Sequence, residues 1–197
     1  LLQMVYPHYL APTPSMAVLE MQPNLSEGAL ADGFRIARGA VLRSLTGRRA
    51  ETACEYRTAH EVTLWPLELV GAEYTSFLAD LGAPRLSSKG KAALRLRLRA
   101  AAGLTMDHLA LGELPIFLRG GDEIALRLYE LLMAHTVALV ARPGGVGQRG
   151  SQVMADASVS PLGFDDDQAL LPYGPRSFQG YRLLQEYFAF PSRLLFF

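Results

Sequence analysis

Lys91-Ala92-Ala93-Leu94-Arg95-Leu96-Arg97-Leu98-Arg99-Ala100 alternates leucine and arginine over three full repeats. Side chains of an extended chain point alternately to opposite faces, so this spacing predicts a β-strand with a leucine row facing a core and an arginine row facing water. Strands of this half-buried kind belong to antiparallel sheets. The same alternation recurs in Gly33–Gly39, with glycine at each end, and continues after a turn in Val41–Leu45. Thr52–Thr58 and Val62–Tyr74 also read as strands, the second interrupted by Pro66, which has no amide proton for a ladder. Met16–Gln22 is an apolar run of strand length, Leu25–Asp32 is a turn-prone link, and Leu114–Arg119, Thr136–Arg142 and Val153–Val159 read as short strands.

Two segments carry helical spacing instead. In Asp122–His135, Ile124, Leu128, Leu131, Leu132 and His135 share one face. Asp122 and Glu123 favour the positive end of the helix, and Leu126, Tyr129 and Met133 widen the apolar arc enough to predict a largely buried helix. Phe178–Phe188 is the second, with Phe178, Tyr181, Leu184, Tyr187 and Phe188 expected to pack on the sheet, and it ends before Pro191. Leu194-Leu195-Phe196-Phe197 reads as a strand that must either pair with another molecule or tuck into its own core. The sum predicts an α+β fold, a β-rich mixed domain of mainly antiparallel strands with two main helices. Pro7, Pro12 and Pro14 predict an extended connector over 1–14, followed by one domain over 15–197. Leu1 and the apolar last residues read as cuts through a longer protein.

Half the residues are hydrophobic, and 19 basic side chains balance 19 acidic ones. That is enough apolar matter for a core, with no net pull toward nucleic acid or anionic lipid. Cys54 is the single cysteine, so no internal disulfide forms. No apolar run reaches the ~18 residues of a membrane span, so no direct membrane insertion is expected.

The motifs that tempt toward chemistry each have a plainer reading. Gly145-Val146-Gly147-Gln148-Arg149-Gly150 fits G-x-G-x-x-G, yet a dinucleotide site needs a helix after the third glycine, and here a strand-like segment follows. The loop is expected to be a glycine hairpin that binds no nucleotide, the enzyme reading being the alternative. Asp165-Asp166-Asp167 lacks the alternate spacing of a calcium loop and reads as a cap or solvated turn. Cys54 and His60 lack any sign of an activated pair, and Cys54 is expected in a strand as a small buried side chain. His8, His60, His108 and His135 show no metal spacing, and His135 reads as a packed or helix-end residue. Arg95, Arg97 and Arg99 are either a docking stripe for an acidic partner or an ordinary wet face. No aromatic residues interleave them, so single-stranded nucleic acid is not favoured. No catalytic, cofactor-binding or metal residue is assigned.

Four stretches, in order, carry a family likeness. They are Tyr6-Pro7-His8-Tyr9-Leu10-Ala11-Pro12-Thr13-Pro14-Ser15-Met16; Cys54-Glu55-Tyr56-Arg57-Thr58-Ala59-His60 with Val62-Thr63-Leu64-Trp65-Pro66-Leu67; Leu128-Tyr129-Glu130-Leu131-Leu132; and Gly180–Pro191. Together they resemble the TssF family (also ImpG or VasA) of type VI secretion baseplates. The resemblance implies an internal fragment of a longer, non-enzymatic wedge protein, cytoplasmic and recruited to an inner-membrane-anchored complex. It implies TssG, TssK, TssE and the VgrG hub as partners and no cofactor. A contractile-phage-like tail module or a stand-alone adaptor is the nearest alternative.

Overall fold

The computed structural model describes residues 1–25, 31–45, 52–76, 90–144, 150–154, 157–175 and 177–197. The fold is α+β, and its described strands pair antiparallel in four two-stranded ribbons rather than one sheet. Contacts divide the chain into two compact units: Leu1–Pro66 with His108–Phe117 and Pro161–Phe197, and Leu67–Asp107 with Leu118–Ser160.

In the first unit, strands β1 (Phe34–Ile36), β2 (Val41–Arg43), β3 (Glu55–Arg57) and β4 (Val62–Leu64) form a nested hairpin, β2 pairing β3 inside and β1 pairing β4 outside. Thr58 holds the bend between the two ribbons. Its hydroxyl donates to Ala37 O at 2.8 Å and accepts from Ala40 N at 3.0 Å, while its backbone bonds Gly39 and Ala40. Gly39 takes φ +81° there, a left-handed conformation that costs glycine little. Cys54 is exposed rather than buried and lies just before β3 rather than within a strand.

The N-terminal stretch is not wholly extended. Helix α1 (Leu2–Val5) is followed by a 3-10 turn at Pro7–Leu10, and the chain becomes extended at Ala11. Pro7 sits at the first turn position, where its missing N–H costs nothing and its fixed φ already suits the turn. Met16–Gln22 forms no strand, because no segment among the described residues supplies it a ladder. Leu114–Arg119 reduces to a single bridge, Phe117 with Phe196. The partner is the chain's own tail. Of the strand expected over Leu194–Phe197, Leu194 instead ends a 3-10 turn at Pro191–Leu194, and Phe196 keeps a single bridge. Leu195 is then buried, and Phe197 exchanges backbone hydrogen bonds with Ile116 at 2.8 and 3.0 Å.

In the second unit, β5 (Leu67–Thr75) pairs β6 (Ala93–Ala100), with a bulge between Leu69 and Gly71. Leu94, Leu96 and Leu98 are half-buried rather than fully buried, while Arg97 and Arg99 are exposed. Register sets Arg95 opposite Glu73 and Arg99 opposite Glu68, and both pairs close, at 3.6 and 2.6 Å. The arginine row is therefore largely neutralised within its own ribbon. We expect Leu96→Ala to cost about 1–2 kcal/mol, roughly half the value of full burial. Arg97→Ala should stay within about 0.5 kcal/mol. Urea midpoints check both; equal midpoints for Leu96→Ala and wild type would contradict the strand's facing.

Helix α2 (Asp122–His135) keeps its predicted ends, but it is only half-buried. Ala125 is covered and Leu128, Tyr129 and Leu132 are partly so, while Ile124 is 73% exposed and Leu126 50%. His135 is exposed at the helix end, where Thr136 Oγ1 donates to Leu132 O. Strands β7 (Val140–Ala141) and β8 (Gln152–Val153) form a two-residue ribbon; β7 is shorter than the spacing predicts, and residues 155 and 156 of the second expected strand lie outside the described residues.

Candidate interaction surface

Helix α3 (Gln179–Ala189) starts and stops within one residue of expectation but faces the other way. Arg182 and Glu186, one turn apart, are both 0% exposed. Tyr181, Leu184, Tyr187 and Phe188, expected to pack inward, lie in water, with Leu184 59% and Phe188 79% exposed, and Phe178 just before the helix is exposed too.

The reason lies in the segment from Gly163 to Tyr173, which has only a short 3-10 turn at Asp166–Gln168 yet buries Ala169 and Leu171. A buried segment without a ladder must find other partners for its peptide groups. Helix α3 supplies them. Glu186 Oε1 accepts from the amides of Leu170 and Leu171, both at 2.9 Å. Arg182 donates to both carboxylate oxygens at 3.2 Å and to Phe164 O at 3.1 Å, with its guanidinium 5.2 Å from the Tyr173 ring centroid. Arg193 donates to Gln168 O, and Arg38 to Ala169 O at 2.9 Å. The polar side of α3 is thus committed to holding this segment, which turns the apolar side outward. Each large side chain left in water forgoes ~1.5–3 kcal/mol of burial.

Beside α3 lies the N-terminal stretch. Tyr6 is buried, its hydroxyl donates to Gln185 Oε1, and its ring stands 5.7 Å from that of Tyr181. The two segments border an open groove of about 1020 Å³. Gly163 has φ +104° and passes so close that a Cβ there would stand 2.9 Å from Arg193 Nη1.

The remaining sequence candidates fall elsewhere. Asp165–Asp167 forms the entry to the 3-10 turn, and Asp166 accepts from Gln179 at the start of α3. Among the described residues no group of His, Cys, Asp and Glu has the makings of a metal site. Residues 145–149 of the glycine loop lie outside the described residues. Cys54 is exposed, whereas His60 is half-buried against Phe196, its ring edge-on at 6.3 Å. Nothing in the sequence pointed to Arg182, Glu186 and Arg193 as a buried cluster. The only signal was an i, i+4 opposite-charge pair, which is usually a surface feature.

Burial pushes the His60 pKa down, and the nearby Arg193 and Arg38 push it further, with Asp167 opposing. Its folded value lies below the unfolded 6.5, so the unfolded chain takes up this proton first. Stability is then complete above about pH 6.5 and falls as the pH drops toward the folded value. We expect the urea midpoint to fall from pH 7.5 to 5.5, and His60→Gln to flatten that fall. An unchanged slope in the variant would assign the acid sensitivity to other groups.

This part of the α+β chain thus leaves an apolar helix face exposed over a buried polar cluster. The whole chain, residues 1–197, matches the family model described as type VI secretion system, TssF. The chain belongs to the TssF family. Over 200 residues it is 50% identical to the type VI secretion system component TssF1 of Pseudomonas aeruginosa PAO1, a match covering all of this chain and 32% of that protein. It also superimposes, at TM-score 0.78 and 26% identity, on a chain in the cryo-electron microscopy structure of the type VI secretion system TssK-TssF-TssG baseplate subcomplex. That match covers 99% of this chain and 34% of the other. The chain therefore spans about a third of the length of these relatives. No helix among the described residues is long and apolar enough to cross a membrane.

Proposed function

We propose that this chain is a structural part of a type VI secretion baseplate, acting by protein–protein contact and catalysing nothing. The observation that carries the reading is its end-to-end likeness to a chain in the baseplate subcomplex, where TssK and TssG are the companions. In this reading TssG and TssK are its immediate partners, with TssE and the VgrG hub reached through the assembled wedge. Residues 15–197 contribute to the wedge body and residues 1–14 lead into it. The complex works on the cytoplasmic side, recruited to an inner-membrane-anchored machine. The two compact units suit a scaffold, whose task is to hold shape under load.

The test is co-purification of the full-length protein carrying this chain with tagged TssG and TssK. A stoichiometric complex is expected. Absence of TssG and TssK from the purified material, with the protein folded, contradicts the reading. A saturable dinucleotide-induced rise in melting temperature, abolished by Gly147→Val, would replace it with the enzyme alternative.

A further inference from the structure

We propose that His60 is an acid-sensitive latch on residues 195–197: when its imidazole takes up a proton, Phe196 and Phe197 come away from Phe117 and Ile116 while the β2–β3 ribbon stays folded. His60 lies at the bend before β4, with its ring edge-on to Phe196. Phe196 in turn stacks on Phe117 at 4.7 Å, and Arg193 stands on the 3-10 turn that leads to it.

The joint is built for an uncharged ring. His60 Nδ1 is buried and has no hydrogen-bond partner. A neutral imidazole accepts this with its proton on Nε2, because a bare lone pair costs far less than an unpaired charge. Protonation puts a charged N–H on that same atom, facing no acceptor. Phe196 offers the charged ring nothing, since at 6.3 Å it stands beyond the ~6 Å reach of a cation–π contact.

The charges on the neighbouring elements add to this. Arg193 and Arg38, the latter from the turn between β1 and β2, disfavour the proton, while Asp167, on the Asp166–Gln168 turn, favours it. Neither arginine is free to swing away, since Arg193 donates to Gln168 O and Arg38 to Ala169 O. Glu61, next in the chain, is turned to water and pairs with Arg35 at 3.6 Å.

The cover that yields is the one held least. Phe196 and Phe197 are tied by one isolated bridge and its backbone bonds, whereas β2 and β3 share a ladder of three residue pairs. Once the cover lifts, His60 meets water and titrates near the ordinary 6.5. The closed form binds the proton less readily than the open one. The open population therefore rises as the pH falls below about 6.5 and levels off below the closed-form value. This is a local opening, distinct from loss of the whole unit.

The latch does not depend on the assembly reading. Hydrogen–deuterium exchange of the full-length protein carrying this chain tests it at pH 7.5 and 5.5, with rates corrected for their intrinsic pH dependence. At pH 5.5 the amides of Ile116 and Phe197 should exchange more than twofold and up to about tenfold faster, the ceiling for one histidine one pH unit below 6.5. Those of Val41–Arg43 should not change. His60→Gln, checked for folding by circular dichroism, should remove the rise. Exchange at the His60 ring C2 position gives its titration in the wild-type protein without any variant, and should place it below 6.5. An ordinary titration there overturns the proposal. So does an unchanged rate at Ile116 and Phe197, an equal rise at Val41–Arg43, which makes the loss global, or a rise that survives in folded His60→Gln, which assigns it to other groups.

Discussion

Glu186→Ala should lower the stability of the first unit by about 3–5 kcal/mol, the usual cost of removing one member of a buried ion pair. Three losses coincide. The amides of Leu170 and Leu171 lose their acceptor, Arg182 keeps a buried charge with no counter-charge, and Arg193 loses the carboxylate that opposes the burial-driven lowering of its pKa. Domains are stable by only about 5–15 kcal/mol, so the variant would sit near the edge of folding. Glu186→Gln retains one acceptor for the two amides and should fall between. Glu68→Ala is the control. Its bond to Arg99 is shorter, at 2.6 Å, but more than half of each side chain is in water, so about 0–1 kcal/mol is expected. Urea midpoints at constant m-value rank the three. Equal losses for Glu186→Ala and Glu68→Ala would mean that the cluster does not hold the Gly163–Tyr173 segment.

The same cluster explains where sequence reasoning reached and where it stopped. The ends of α2 and α3 and the strand around Leu96 were legible, because periodicity and prolines act locally. The four stretches that resembled the family were legible too, and they spread over the Pro7–Leu10 turn, β3, β4, α2 and α3. The direction in which α3 faces was not. A stripe at Tyr181, Leu184 and Phe188 says which residues share a face; it does not say whether that face looks at this chain or at another. That choice was made by Leu170 and Leu171, about 15 residues away, whose amides need Glu186. Met16–Gln22 shows the same limit for strands, since an apolar run of the right length forms no strand where no described segment pairs with it. The arginine row was legible as wet, but its neutralisation by Glu68 and Glu73 required the register of β5 on β6.

Deleting Leu195-Phe196-Phe197 should destabilise the first unit by about 4–6 kcal/mol and make the shortened chain associate. Leu195 is buried, and losing a buried leucine alone costs ~2–5 kcal/mol. The Phe196 ring lies 4.7 Å from Phe117, a contact worth roughly 0.5–1.5 kcal/mol beyond its area. Four backbone hydrogen bonds also go: that from Leu195 N to Ser192 O at 3.2 Å, the exchanged pair between Phe197 and Ile116, and that from Leu162 N to Phe196 O at 3.1 Å. Their loss bares both peptide groups of Ile116 and the amide of Leu162, an unpaired edge of the kind that recruits strands from other molecules. Leu195-Phe196-Phe197 thus packs into the first unit with both its side chains and its backbone engaged. Leu195→Ala separates the two effects: it should lose about 2–5 kcal/mol while keeping the backbone bonds, so its light scattering should match wild type at temperatures where both are folded. A truncated chain that is as stable and as monomeric as the intact one would show that the bridge to Phe117 contributes nothing and that the edge at Ile116 is protected by something else.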